Sequence, residues 1–227
     1  FDLSVDGQVN KIPVSNRVAL GRAATDDRYA LLHYNFGYST YLEPILNPKA
    51  WADPSTHTSS TLAHEFSVGF RGQYALGHAR LIPQANGAIG GFYSVRGYSQ
   101  SAGVGDTTVI GSFEYRFHIP RAFPVQREAW NIPLIGDFRV APQQVYGRPD
   151  WDLTLRAYVD VGRSRRNNKS AAASVGSVER NRTLVGAGIG AELTFRSNLR
   201  ARIDWGTALK NESAGNSGAE VGDSEIH

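Results

Sequence analysis

The side chains that could do chemistry in this chain are charged residues placed where strands or loops would withdraw them from water. Asp160 is the clearest. It sits in Tyr158-Val159-Asp160-Val161-Gly162, where Leu153, Leu155, Ala157, Val159 and Val161 alternate with Thr154, Arg156, Tyr158 and Asp160. A two-residue period makes a strand with one apolar and one polar face. An acid on that polar face, shielded from bulk water, is costly unless a cation pairs with it. Asp160 therefore calls for a cationic partner; the bland alternative is a solvated acid. Arg96 lies in a second stretch, Gly90-Gly91-Phe92-Tyr93-Ser94-Val95-Arg96-Gly97-Tyr98. Its planar guanidinium could give a carboxylate two parallel hydrogen bonds, or it could be an arginine exposed on a glycine-rich loop.

Other chemistries find less support. The chain has no cysteine, hence no disulfide framework and no thiolate. His33, His57, His64, His78, His118 and His227 show no close pair at metal-ligand spacing; a hydrogen-bonding role on the inward, lumen-facing side of a barrel is the expectation for His33, His64 and His118. There is no Gly-x-Ser-x-Gly elbow. Glu65, Glu114 and Glu192 are inward acids with nothing in the sequence to make two of them converge. Gly186, Gly188 and Gly190 share one strand face, which either leaves room for a folded-in loop or a pore, or bends the sheet at a barrel corner. The expectation is a protein that is not an enzyme and uses no cofactor or metal.

Long strands must position these residues. Phe1 to Asn10 alternates, as do Tyr29 to Leu42, Leu62 to Leu76, Thr108 to His118, Leu153 to Gly162, Val185 to Arg196 and Leu199 to Trp205. The Leu62–Leu76 stretch places Leu62, Phe66, Val68, Phe70, Tyr74 and Leu76 opposite Ala63, Glu65, Ser67, Gly69, Arg71, Gln73 and Ala75. Its length exceeds the five or six residues typical of soluble strands and meets the about nine to eleven of a tilted membrane strand. No apolar run approaches the ~20 residues of a membrane helix. At 41% hydrophobic, with 24 glycines, 10 tyrosines and 10 phenylalanines, the composition suits barrel strands, which need apolar residues only at alternate positions. A net charge of +3 with mixed signs describes a solvated surface and no nucleic-acid partner.

About seven long strands joined as a meander would leave two unpaired edges, and a membrane barrel must close. The expectation is thus an all-β, transmembrane antiparallel barrel present only in part. With no methionine anywhere and no signal peptide before Phe1, the chain looks like a processed product or fragment. Within 1–227 as one partial barrel domain, 77–106 forms an inward-folded loop and 119–150, with five prolines and little periodicity, an inserted loop ordered in part by Phe123, Trp130 and Phe138. Lys210 to His227 reads as a polar loop with no strand after it.

Val95-Arg96-Gly97-Tyr98, following Gly90-Gly91 and lying between two strands, resembles the signature of the outer-membrane insertase and translocator superfamily, the POTRA-barrel proteins. This superfamily includes two-partner-secretion translocators, barrel-assembly factors and surface antigens. The resemblance implies the C-terminal half of a sixteen-stranded barrel with its last strand missing, and soluble POTRA domains and the first barrel half before Phe1. It also implies that the loop arginine, Arg96, reaches into the lumen and pairs with the acid of a Phe/Tyr-x-Asp-x-Gly strand, here Asp160 followed by Gly162. The implied setting is the bacterial outer membrane, with lipid outside the barrel. The implied function is export of an unfolded exoprotein; assembly of other barrels is the alternative within the superfamily. A soluble, secreted β-sandwich binding module is the alternative from another class.

Overall fold

The computed structural model describes residues 1–227 except 10, 54, 56–61, 135, 171–178, 197 and 213–217. Its strands in chain order are β1 (Asp2–Gln8), β2 (Tyr29–Tyr41), β3 (His64–Ala75), β4 (Gly87–Ile89), β5 (Gly103–Gly105) and β6 (Thr107–His118). There follow β7 (Trp130–Ile132), β8 (Gly136–Phe138), β9 (Trp151–Arg165), β10 (Arg182–Phe195), β11 (Leu199–Ala208) and β12 (Ser224–Ile226). One antiparallel sheet takes eight of them in the order β1-β2-β3-β6-β9-β10-β11-β12, while β4–β5 and β7–β8 are separate two-stranded ribbons. The sheet is open, since β1 and β12 each pair on one side only. Three short helices, α1 (Val14–Ala19), α2 (Glu43–Leu46) and α3 (Pro48–Ala52), lie in connections expected to be irregular. Among the described residues, no helix is long and apolar enough to cross a membrane.

Antiparallel register carries the alternation of each strand across the whole sheet. One face presents Tyr38, Val68, Phe113, Val159 and Ala187 side by side, flanked by the rows Phe36-Phe70-Gly111-Val161-Val185 and Phe66-Tyr115-Ala157-Ile189-Trp205. The next row adds Phe117, Leu155, Ala191 and Ile203. The opposite face carries Gly37-Gly69-Ser112-Asp160-Gly186 and Ser39-Ser67-Glu114-Tyr158-Gly188-Gly206. Burial follows chemistry in an unusual sense. Phe113, Leu155, Val159 and Ile189 on the apolar face are exposed, whereas Glu114, Arg156, Tyr158, Asp160 and Asp204 on the polar face are buried.

The cover over the polar face is the segment between β3 and β6, whose Ile89, Val95 and Tyr98 pack on Ile110, Leu184 and Ala208 of the sheet. This small apolar cluster fixes where the loop sits.

Several expectations need correction. A strand does follow Lys210: β12 pairs with β11 through Trp205–Ile226, Gly206–Glu225 and Thr207–Ser224, and the backbone of His227 bonds that of Asp204 in both directions, at 2.9 and 3.0 Å. Three residues are too few for alternation to register in sequence. The β3 strand starts at His64, not Leu62, and ends at Ala75, one residue before Leu76, where Gly77 and His78 adopt φ of 63° and 57° and break the ladder. By contrast β9 outruns Leu153–Gly162, since Arg163 and Arg165 continue the pairing with Val109 and Thr107 although they interrupt the apolar pattern. His64 lies in the apolar-face row with Phe117, its Nδ1 2.6 Å from the Tyr115 hydroxyl, not on the polar face. In the 119–150 insertion, Phe138 stacks on Phe195 at 5.7 Å and Trp151 Nε1 donates to the Val140 carbonyl at 2.9 Å, but Trp130 is exposed. Of the tight turn expected at Ser197-Asn198, Ser197 lies outside the described residues; His57 does too.

Candidate functional site

The site is built on the polar face where the 76–106 segment touches β6, β9, β10 and β11. Gly90 and Gly91, at φ 104° and 91°, turn the segment, and the Gly91 amide donates to the Tyr98 carbonyl at 3.0 Å. Gly97, at φ 90°, lies so close to β11 that a Cβ would stand 2.5 Å from the Thr207 carbonyl carbon. On the sheet side the room is made by glycines: a Cβ on Gly186 would meet the Arg96 carbonyl oxygen at 1.9 Å, and one on Gly162 would meet Val95 Cγ2 at 2.5 Å. The loop therefore occupies the space that Gly186 leaves open, which decides between the two readings of that glycine in favour of a folded-in loop. Gly188 leaves room for the Tyr158 ring and Gly190 for the Asp204 carboxylate.

Into this seat the loop delivers Arg96. Its Nε donates to Asp160 Oδ2 at 2.6 Å and its Nη2 to Asp160 Oδ1 at 2.9 Å, two parallel bonds of the strong, charge-assisted kind. The Arg96 amide adds a third bond to Asp160 Oδ2 at 3.2 Å, and Ser112 Oγ donates to Oδ1 at 2.6 Å. Asp160 is fully buried and Arg96 is 4% exposed. The guanidinium lies over the Tyr158 ring, 3.2 Å from its centroid, a favourable cation–π placement. Arg96 Nη1 also reaches Glu114 Oε2 at 3.1 Å and Asp204 Oδ2 at 3.3 Å.

Around this pair runs a wider network. Arg156 bridges Glu114 Oε1 (3.3 Å) and Asp204 Oδ1 (2.6 Å), Arg116 Nε donates to Glu114 Oε1 at 2.6 Å, and Arg202 Nη2 to Asp204 Oδ2 at 2.5 Å. Alternation puts Glu114, Arg156 and Asp204 on polar faces but does not join them. The signal that could have done so is register: Glu114 faces Tyr158 across β6–β9, and Arg156 and Asp204 both flank Gly190. Of the other motif residues, Val95 and Tyr98 are fully buried, and the Tyr98 hydroxyl, with one proton to donate, lies within hydrogen-bonding distance of the carbonyls of Val185 (2.9 Å) and Lys210 (2.7 Å). The motif thus anchors the loop by a buried side chain on each side of Arg96-Gly97.

If the loop seat depends on that vacancy, Gly186→Ala should destabilise the folded protein by about 1–3 kcal/mol through overpacking. Gly37→Ala, where an added Cβ meets nothing within 4 Å, should leave the urea midpoint where it was. Equal midpoints for the two variants would separate the loop from the sheet.

A second buried network, invisible in the sequence, ties three connections together at the other end of the loop. Arg22 grips Asp106 through Nη1 and Nη2 at 2.5 and 2.9 Å and reaches Glu179 Oε1 from Nε at 2.9 Å. Arg80 gives Glu179 a further pair of bonds at 2.6 and 3.0 Å. Asp106 also accepts from the Leu81 and Asn167 amides, both at 2.7 Å. Burial alone would raise the Glu179 carboxyl, but hydrogen bonds from Arg22 and Arg80, with their charges, outweigh it and hold the group down from 4.5 to about 2. A depressed carboxylate adds stability that is fully present above its unfolded value and is lost as pH falls through its folded one. The thermal midpoints of the protein and its Glu179→Gln variant should therefore differ at pH 7 and converge between about 4.5 and about 2. A difference that persists unchanged to pH 2 would place Glu179 outside the clamp.

Among the described residues, no group of three His, Cys, Asp or Glu side chains is arranged to hold a metal ion. His118 sits on the polar face between Asp152 Oδ2 (2.8 Å) and Glu65 Oε2 (3.1 Å), and His33 faces Asp6 at 3.3 Å. What the arrangement does chemically is hold a loop: the buried carboxylates are met by guanidinium groups. Compared with family models, with curated proteins and with solved structures, the chain matches none. The class defined by fold and site is an antiparallel meander sheet with an exposed apolar face and a charged, loop-covered polar face.

Proposed function

We propose that this chain is part of an outer-membrane β-barrel that exports an unfolded polypeptide, with the apolar face of the sheet against lipid and the polar face lining the lumen. The observation that carries the reading is the inverted burial. The rows from Val161 to Leu153 of β9 and their cross-strand neighbours contain no Asp, Glu, Lys or Arg on the apolar face. That band spans nine residues of β9, within the about nine to eleven of a tilted membrane strand. A soluble sandwich would bury this face against a second sheet, yet Phe113, Leu155, Val159 and Ile189 are exposed while the segment between β3 and β6 covers the polar side. The contiguous exposed aromatic and aliphatic band is far larger than the scattered apolar residues of an ordinary soluble surface.

Export in particular is supported by the loop that Arg96 fastens inside the polar face and by the resemblance of its Val95-Arg96-Gly97-Tyr98 stretch to translocator barrels. Lipid accepts no unpaired strand edge, so this reading requires further strands beside β1 and β12. The test is fractionation and reconstitution. The protein should partition into a detergent-extractable membrane fraction, migrate on gels with heat-modifiable mobility and let an unfolded polypeptide enter or leave vesicles. Recovery as a monodisperse protein in detergent-free buffer overturns the proposal.

A further inference from the structure

The polar face is not covered evenly. Along the row Gly37-Gly69-Ser112-Asp160-Gly186, the loop backbone fills the Gly186 end, where an added Cβ would meet Arg96 at 1.9 Å. At the other end a Cβ on Gly37 would meet nothing within 4 Å, and one on Gly69 only Ser112 Cβ at 3.9 Å. Between that bare floor and the loop tip lies a cleft of about 270 Å³, lined by Gly69, Arg71, Phe92, Tyr93, Arg202 and Glu114 among others, the acid already met by Arg96, Arg116 and Arg156. Two features of it are unusual. Arg96, Arg116, Arg156 and Arg202 on this face each hold a carboxylate, whereas exposed Arg71 has no ion pair or hydrogen bond among the described residues. Tyr93 is 79% exposed at the rim, and its ring packs edge-on against Phe92 at 4.8 Å.

We infer that this cleft binds an extended polypeptide carrying a carboxylate beside an aromatic ring. The backbone lies along Gly37 and Gly69, as the loop's own backbone lies on Gly186 and Gly206. The carboxylate reaches Arg71, whose fork matches it with two hydrogen bonds, and the ring stacks on exposed Tyr93. The inference deepens the export reading, which supplies the reason for an extended chain to pass along this face. It would make Arg71 and Tyr93 residues that select acidic-aromatic segments.

The experiment is fluorescence anisotropy on the full chain in detergent micelles. Three dye-labelled glycine/serine nonapeptides serve as probes, with aspartate, asparagine or lysine beside a single phenylalanine. The aspartate peptide should bind about tenfold more tightly than the asparagine peptide, about what one charge-assisted contact supplies. Arg71→Ala should erase that difference, Arg71→Glu should turn the preference to lysine, and Tyr93→Ala should weaken all three peptides alike. Gly69→Val, which points into open space and leaves the fold intact, should abolish binding by filling the floor. Equal affinity for the three peptides, or an order unchanged in Arg71→Glu, overturns the inference. Membrane partitioning is measured separately, so a failed cleft with intact insertion leaves the export reading standing. Selective peptide binding by a protein that never enters membranes would leave the cleft and remove the export reading.

Discussion

Replacing Arg96 by alanine is expected to destabilise the folded protein by about 3–5 kcal/mol, the range for removing one partner of a buried ion pair. The large effect comes from what stays behind. Asp160 is fully buried and would lose two guanidinium bonds, while Glu114 and Asp204 would lose a third and fourth contact with the same cation. Arg116, Arg156 and Arg202 still neutralise Glu114 and Asp204, so the damage concentrates on Asp160. Arg96→Lys should recover only part of the loss, because an ammonium cannot span both carboxylate oxygens and stack on Tyr158 at once. Asp160→Asn should cost less than Arg96→Ala, since Arg96 keeps Glu114 and Asp204 as acceptors. With both changes made, the loss should fall short of the two single losses added, because both single changes remove the same contact. Urea midpoints in micelles, followed by tryptophan fluorescence, measure all four. Strict additivity would mean that the pair does not hold the loop, whatever its distance.

The Arg96–Asp160 pair could be anticipated because each half carried its own signal: Asp160 from strict alternation in β9, Arg96 from a local tetrapeptide between two strands. The long strands were legible for the same reason, since a period of two needs only six or more residues to declare itself. What stayed hidden depends on contacts between distant segments. Arg22, Arg80, Asp106 and Glu179 lie in three connections with no periodicity, and Arg22 and Glu179 are 157 positions apart. Alternation puts Glu114 and Asp204 each on a polar face, but their convergence on Arg96 and Arg156 follows from register, which alternation alone does not supply. The β12 strand was missed because it has three residues. His64 was assigned by residue type, although its even position among Phe66, Val68 and Phe70 already placed it on the apolar face.

The other large effect concerns the apolar face. Phe113 occupies the middle row, between Val68 and Val159, and is 48% exposed. If that face meets lipid, Phe113→Arg puts a guanidinium near the middle of the hydrocarbon, where barrels lose roughly 2–4 kcal/mol. Ser67→Arg is the matched control. Ser67 lies on the polar face directly across from Glu114 and two positions from Glu65, so an arginine there meets acids and water and should change stability little. A soluble protein inverts the expectation. Its half-exposed Phe113 would face solvent and tolerate arginine within about 0.5 kcal/mol, while the charged, loop-covered side would be the sensitive one. Unfolding in urea from lipid vesicles, followed for both variants, therefore ranks the two faces directly. A smaller loss at Phe113 than at Ser67 would place lipid on the wrong side of the sheet and remove the membrane reading along with it.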